Sequence, residues 1–381
     1  MNLKRSQTNE KANCSHGYWL STFTDDRVLG NEEIQAQTYG SALGIDYKEG
    51  EFILYFQALN FADIAKQEGA AILQEKSTVV IGEGKGESIE EAFTDLEQHA
   101  ALPLYIGHIN SFILSERVIK NKMKDFIEYV GKEPLLRYNS WLFVTDEDIK
   151  KVFDSDSFFN LPNLFTITQR PETVIYENYF ISPLKFSELV SKFYQPVGSI
   201  LIPSLVINEH HFSEGGKGKK IPTLNGGYVL SKQQYKGFVS KQDLIGLKWV
   251  ENKATVMFFS LNEQKVSVEI MDPKTNIVVL GQQKKPLYDL EVRANGILKQ
   301  NLDNVDMEKI EKKVEIKVEE DILKTLDAGG GINTDLFNIS EKAYRYHVNK
   351  WDNKMINSFD KTSINNMKIN IHIEHSENYK R

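Results

Sequence analysis

Between positions 41 and 153 the sequence switches repeatedly between short apolar, β-branched runs and segments whose apolar residues recur three and four positions apart. That alternation constrains the fold more than any other feature, because a strand buries every second side chain and a helix buries one stripe. Residues 41–46 and 52–59 flank the turn Tyr47-Lys48-Glu49-Gly50 and predict a hairpin. Residues 78–81 predict a short strand that GEGKGE breaks, after which Ser88 opens a helix with Glu91 at the capping-box position. Ile89, Ala92, Phe93, Leu96 and Ala100 supply its apolar face.

A strand over 104–114 follows, then a helix over 116–130 with Val118, Ile119, Phe126, Ile127 and Val130 on one side and Gly131 as its C-cap. Another strand is expected at 138–144, with Thr145 capping a short helix that reaches Phe153. Such an order favours a sheet covered by helices, with parallel pairing plausible.

The segment SEGGKGKK, residues 213–220, holds glycine and lysine and no apolar side chain, as a linker does. The expected organisation is therefore a flexible leader at 1–18, an N-terminal α/β region at 19–207 that could hold two structural domains, a Gly/Lys-rich linker at 208–222 and a C-terminal α+β domain at 223–381. In that last part, 227–230, 237–240, 255–261, 266–271, 277–280 and 287–298 read as strands of an antiparallel sheet with polar turns such as Asp272-Pro273. Residues 243–249 predict a short helix. Residues 305–327 predict the longest helix, with Ile310, Val314, Ile322, Leu323 and Leu326 apolar and Gly329-Gly330-Gly331 ending it. Residues 367–373 predict an edge strand or a tail.

At 381 residues the chain is long enough for two or three domains, and 41% hydrophobic residues with 21 Phe and 16 Tyr can fill real cores. Its 46 basic and 53 acidic side chains give a net charge of −7, with the basic ones dispersed. Nucleic acid is thus not an expected partner. Lys4, Arg5 and Lys11 could favour an anionic surface only weakly. One cysteine, Cys14, excludes an intramolecular disulfide or a thiolate-rich metal site. No window approaches the roughly 20 apolar residues of a membrane-spanning helix, and the leader MNLKRSQTNEKAN lacks an apolar secretory core. The chain is expected to be soluble as it stands.

Several chemical motifs fail on inspection. In VVIGEGKGES, Lys85 is followed by Gly86 instead of a hydroxyl residue, and Val79 stands where a P-loop has its first glycine. Glu87 takes the place of the third dinucleotide-binding glycine, and the carboxylates of Glu83 and Glu87 would repel phosphate. No nucleotide and no cofactor are expected. Ser182-Pro183-Leu184-Lys185 matches S-x-x-K without the companion motifs. His210 and His211, read as a strand, would point to opposite faces, and His372, Glu374 and His375 lack an evident third ligand face. No catalytic or metal residues are assigned.

Four stretches together resemble the Ger(x)C family of spore germination proteins. In ALGIDYKEGEFILYFQALNFADIA the G-[IL]-D element is Gly44, Ile45 and Asp46, and the strand ends in Gln57. In GEGKGESIEEAFTDLEQHAALPLYIGHINSFILSERVIK the L-Y-x-x-H strand is Leu104, Tyr105 and His108. GGYVLSKQQYKGFVSKQDLIGLKWV carries Gly226-Gly227, Lys236-Gly237 and Gly246-Leu247-Lys248-Trp249. INTDLFNISEKAYRYHVNKWD carries Asp335 and Trp351. The likeness runs from about residue 34 to 352.

The resemblance implies a mixed α+β and α/β fold, a multi-domain assembly of distorted β-sheets with flanking helices. It implies a non-enzymatic lipoprotein subunit of a nutrient germinant receptor at the outer face of the spore inner membrane, docked to integral membrane A and B subunits. It also makes Cys14 the candidate lipidation site. The family's lipobox cysteine is followed by Trp and Asp, whereas Lys11-Ala12-Asn13 precede Cys14 and Ser15 follows it. Read from the residues alone, Cys14 is an inert thiol in a polar tail. A germinant-binding module and, behind it, an envelope hydrolase are the other functions weighed.

Overall fold

The computed structural model describes residues 37–58, 79–158, 161, 163–172, 181–251, 256–261, 265–347 and 349–375. The leader and Cys14 lie outside them. The expected hairpin is present as β1 (Thr38–Lys48) and β2 (Glu51–Ala58), paired antiparallel from Lys48↔Glu51 outward. Glu49 and Gly50 have φ of 56° and 93°, the left-handed pair that a two-residue type I′ turn requires.

The glycine run expected to break the chain is itself a strand, β3 (Val80–Gly86), lying on β2. Gly82, Gly84 and Gly86 alternate, so they share one face, and α1 (Ile89–Gln98) presses against it. A Cβ on Gly82 would come within 2.7 Å of Leu96, one on Gly86 within 2.6 Å of the Ala92 nitrogen, and one on Gly84 would overlap the Ala92 carbonyl. Glycine here answers to close backbone approach, not to a turn. Ser88 caps α1 as expected, its Oγ accepting from Glu91 N at 3.1 Å.

The strand expected at 104–114 is divided into β4 (Leu104–Tyr105) and β5 (Ser111–Ser115). The helix expected at 116–130 is two, α2 (Glu116–Asn121) and α3 (Met123–Lys132), broken at Lys122, where φ is −132°. Its five apolar residues are buried all the same, and Gly131 lies inside α3. After β6 (Trp141–Thr145), the cap of α4 (Ile149–Phe153) is Asp148, whose carboxylate accepts from Lys150 N at 2.9 Å. Thr145, expected as that cap, is buried and donates to Leu205 O at 2.9 Å.

β7 (Leu184–Lys185), α5 (Phe186–Phe193) and β8 (Ile200–Asn208) follow. β1, β5, β6 and β8 are parallel neighbours. Residues 208–222, expected as a linker, form a hairpin loop that carries the small ribbon of β9 (Ser213–Glu214) and β10 (Lys217–Gly218). It returns into β11 (Ile221–Ser231), which pairs antiparallel with β8, and then β12 (Gln234–Ser240). One mixed sheet therefore runs β12-β11-β8-β6-β5-β1-β2-β3, with β4 beside β1 and β7 beside β6.

A short α6 (Leu247–Val250) precedes a second sheet of β13 (Val256–Leu261), β14 (Val266–Leu280), β15 (Leu287–Asn301) and β16 (Ile364–His375). Its first three strands are antiparallel, and β16 is an edge strand parallel to β15. Asp272-Pro273 is not a turn: the register slips between Met271 and Lys274, Asp272 takes φ 43°, and β14 continues through the bulge. α7 (Met307–Gly331) runs on through the three glycines expected to stop it. Ile310, Val314, Ile322 and Leu326 are buried on it, but Leu323 is exposed, one position off the apolar stripe. α8 (Ser340–Tyr346) and α9 (Asn353–Ile356) complete the described helices.

On one face of the large sheet, Leu43, Ile45, Phe112, Leu114 and Val144 pack with Phe126 and Phe186 from the helices. On the other, Ala42, Ile113 and Phe143 meet Phe153, and that core continues into Val268, Leu290, Val314 and Ile322 of the second sheet and α7. The described residues from Thr38 onward are accordingly one compact unit. The fold is the expected mixed α+β assembly of distorted sheets with flanking helices.

Candidate functional site

Three parallel strands end on the same edge of the large sheet, and their carboxyl ends carry charge. β1 delivers Asp46 and Lys48, β5 leads into Arg117, and β6 leads into Asp146, Glu147, Asp148 and Lys150. With Tyr55, Glu83 and Lys85 these side chains line a cleft of about 450 Å³. Open α/β sheets place ligands outside the carboxyl ends of their strands. The last segment reaches this edge because Gly44 has no side chain: a Cβ there would overlap Ile149, so α4 sits directly on β1.

Within the cleft some charges are committed. Asp46 takes two hydrogen bonds from Arg117, 2.9 Å to Nε and 2.5 Å to the terminal nitrogen, and one from Tyr47 N at 2.7 Å. Burial pushes the Asp46 carboxyl up, but Arg117, the Ser115 hydroxyl and Tyr47 N outweigh it and hold it below its ordinary 3.8. Glu83 pairs with Lys150 and, at 3.7 Å, with Lys85. Tyr55 is pushed up to about 12 by burial, reinforced by the charges of Glu83, Asp46 and Asp148, so its phenol stays neutral. Among the described residues, Asp146 and Glu147 take part in no ion pair. Asp46, Glu83 and Lys85 stand out in the sequence, but not as members of one cleft, because the lining is scattered from 46 to 150 and only the sheet brings it together.

The residues that carry the resemblance have packing roles. Gln57 is buried, accepts from Ser41 Oγ at 2.8 Å and donates to Phe153 O at 2.9 Å, tying β2 to the end of α4. Tyr105 and His108 form a ring cluster with Tyr39, all three centroid separations lying between 5.3 and 5.4 Å. A Cβ at Gly246 would come 2.6 Å from Asp321 O, so α6 lies against α7, and Trp249 Nε1 donates to Asp321 at 3.2 Å. Trp351 Nε1 donates to Gln283 O at 3.2 Å. Asp335 accepts from Phe337 N at 3.1 Å and Ser340 N at 2.7 Å, while its carbonyl accepts from Ser199 Oγ at 2.7 Å. Burial raises the Asp335 carboxyl to about 6 in spite of these bonds.

The histidine pairs stay apart from this cleft. His210 and His211 lie in the loop after β8, not in a strand, and their amides share Asn208 Oδ1. His372 is exposed on β16, 3.3 Å from Glu311. Among the described residues no group of three His, Cys, Asp or Glu is placed to hold a metal. Lys185 of the S-x-x-K match stacks its ammonium 4.7 Å over Trp141.

The fold built on these two sheets, one mixed with ten strands and one with four, is similar to that of the crystal structure of the GerBC protein. That chain is 19% identical, and the match has a TM-score of 0.54 and covers 87% of this chain and 96% of that one. Residues 30–207 match the family described as spore germination protein N-terminal domain, and 225–376 match the one described as spore germination B3/GerAC like, C-terminal. The chain belongs to the Ger(x)C family of spore germination proteins. Spore germination protein KC of Bacillus subtilis (strain 168) is 20% identical over 366 residues, 88% of this chain and 87% of that protein. The family supplies germinant receptor subunits and is not a known enzyme class. Among the described residues no helix is long and apolar enough to cross a membrane.

Proposed function

We propose that this chain is the C subunit of a nutrient germinant receptor, acting at the outer face of the spore inner membrane by docking to integral membrane A and B subunits, without making or breaking bonds. The observation that carries this reading is the ordered match of both family regions, 30–207 and 225–376. The packing roles of Gly44, Gln57, Gly246, Trp249 and Asp335 agree with a chain selected as a scaffold. Attachment to the membrane would come through a lipid on Cys14, the chain's one cysteine. Two acyl chains anchor stably where one gives only marginal binding.

The test is co-purification from spore membranes by a tag on this chain. Two multispanning membrane proteins are expected with it, together with an acylated N-terminal peptide containing Cys14 by mass spectrometry. A chain that purifies alone, from spores that still need it to germinate, would sink the docking reading. An unmodified Cys14 in membrane-derived protein would remove the lipid anchor alone.

A further inference from the structure

We infer that the folded body itself contacts an anionic phospholipid bilayer, through a basic patch where the β14–β15 turn meets the segment after α8. The sequence disperses these lysines and the fold gathers them. Trp351 Nε1 donates to Gln283 O at 3.2 Å, and a Cβ on Gly281 would come 3.2 Å from Lys350 Nζ and 3.8 Å from His347. Lys285 Nζ donates to Thr362 Oγ1 at 3.4 Å. Residues 281–285 and 347–362 therefore form one surface, which carries the exposed Lys284, Lys285, Lys350 and Lys354.

None of these four takes part in an ion pair among the described residues. Neighbouring cations are spent: Lys361 pairs with Asp327 at 2.8 Å and Arg345 with Glu341 at 2.7 Å. Against the four lysines stand Asp352 and Asp360, whose carboxylates cap Met355 N at 2.7 Å and Thr362 N at 2.8 Å. The patch is thus positive on a chain whose net charge is −7. Tyr346, 76% exposed, precedes His347, and Met355, 46% exposed, follows Lys354. Ammonium groups beside a phenol and a thioether suit a headgroup layer, where anionic lipid attracts the first and the others enter the interface. The patch also lies at the amino edge of the large sheet. β1 and β8 belong to one parallel set, so Thr38 and Ile200 begin on the same edge, and Asn357 Nδ2 donates to Pro196 O, just before β8, at 3.0 Å. The chain enters β1 on that side, and the charged cleft opens on the other. The inference needs neither a lipid on Cys14 nor a partner subunit, so it and the receptor reading can fail separately.

The experiment is co-sedimentation of the full, unacylated chain with phosphatidylcholine vesicles, pure or containing about 30% phosphatidylglycerol. Binding is expected to the anionic vesicles alone, and it should fall as salt is raised to about 0.5 M. The double variants Lys284→Gln/Lys285→Gln and Lys350→Gln/Lys354→Gln should each weaken it by about tenfold or more, since each lysine at a charged surface contributes about fivefold. Lys309→Gln/Lys312→Gln, at the start of α7 and away from the patch, should bind as the parent does. An unchanged circular dichroism melt is the control for folding; should one patch variant melt early, the other decides. The inference is overturned if the chain binds both vesicles alike or neither, if a folded patch variant binds as the parent does, or if the α7 variant loses as much. Tighter binding to a duplex oligonucleotide than to the anionic vesicles would also overturn it, by making nucleic acid the partner.

Discussion

At the scale of single residues, the glycines of β3 separate two meanings of one amino acid. Gly84 faces the Ala92 carbonyl with no room for a methyl group, whereas Gly330, near the end of α7, has nothing within 4 Å of the added carbon. Gly84→Ala should therefore lose about 2 kcal/mol through overpacking, while Gly330→Ala should gain about 0.5 kcal/mol because a helix favours alanine. Urea unfolding of the two variants checks the opposite signs. Asp335 offers a pH test. Its carboxyl titrates near 6 when folded, against 3.8 ordinarily, so between those values the folded chain holds the proton that the unfolded chain has released. Stability from this group is thus full below pH 3.8, falls as pH rises toward 6 and then levels, with a total of about 3 kcal/mol for roughly two units. Urea midpoints measured from pH 3.5 to 7 should show that decline in the parent and a flatter line in Asp335→Asn.

At the scale of elements, legibility followed periodicity. The hairpin of β1 and β2, the apolar face of α1 and the buried stripe of α7 were readable because apolar spacing alone specifies them. What misled was punctuation. Glycine and proline were taken as stops, yet the β3 glycines admit a helix, Gly329 to Gly331 stay helical, and Asp272-Pro273 became a bulge. In each case the deciding neighbour lies elsewhere in the chain or on another strand, where local reading cannot reach. The same reason hid the cleft, whose parts meet only through sheet order. The joint between α6 and α7 makes a further expectation measurable. Asp321 is buried, accepts from Trp249 Nε1, and has Lys317 at 3.3 Å and Lys248 at 4.0 Å. Asp321→Ala removes the buried carboxylate that accepts from the indole N–H and stands beside Lys248 and Lys317, which should cost about 3 kcal/mol. The loss is read in the urea midpoint, and a red-shifted Trp emission should accompany it.

At the scale of the whole molecule, the two regions recognised by family meet within one sheet. β8 ends the first region and β11 begins the second, and nine residue pairs from Ile221↔Asn208 to Leu230↔Ile200 join them. Ser199 and Asn338 add a second set of bonds, with Ser199 N to Asn338 Oδ1 at 2.6 Å. Chains cut between 208 and 221 should therefore not behave as two independent folding units. Expressed apart, each exposes a long unpaired edge and should aggregate; expressed together they should assemble into one particle, seen by size-exclusion chromatography. Independent, monomeric halves would contradict the shared sheet. The ribbon that bridges them ends at Gly215 and Gly216, where an added Cβ would meet nothing within 4 Å. A foreign epitope or fluorophore spliced at that tip would hang clear of the body, giving a handle by which the intact particle can be followed in living spores.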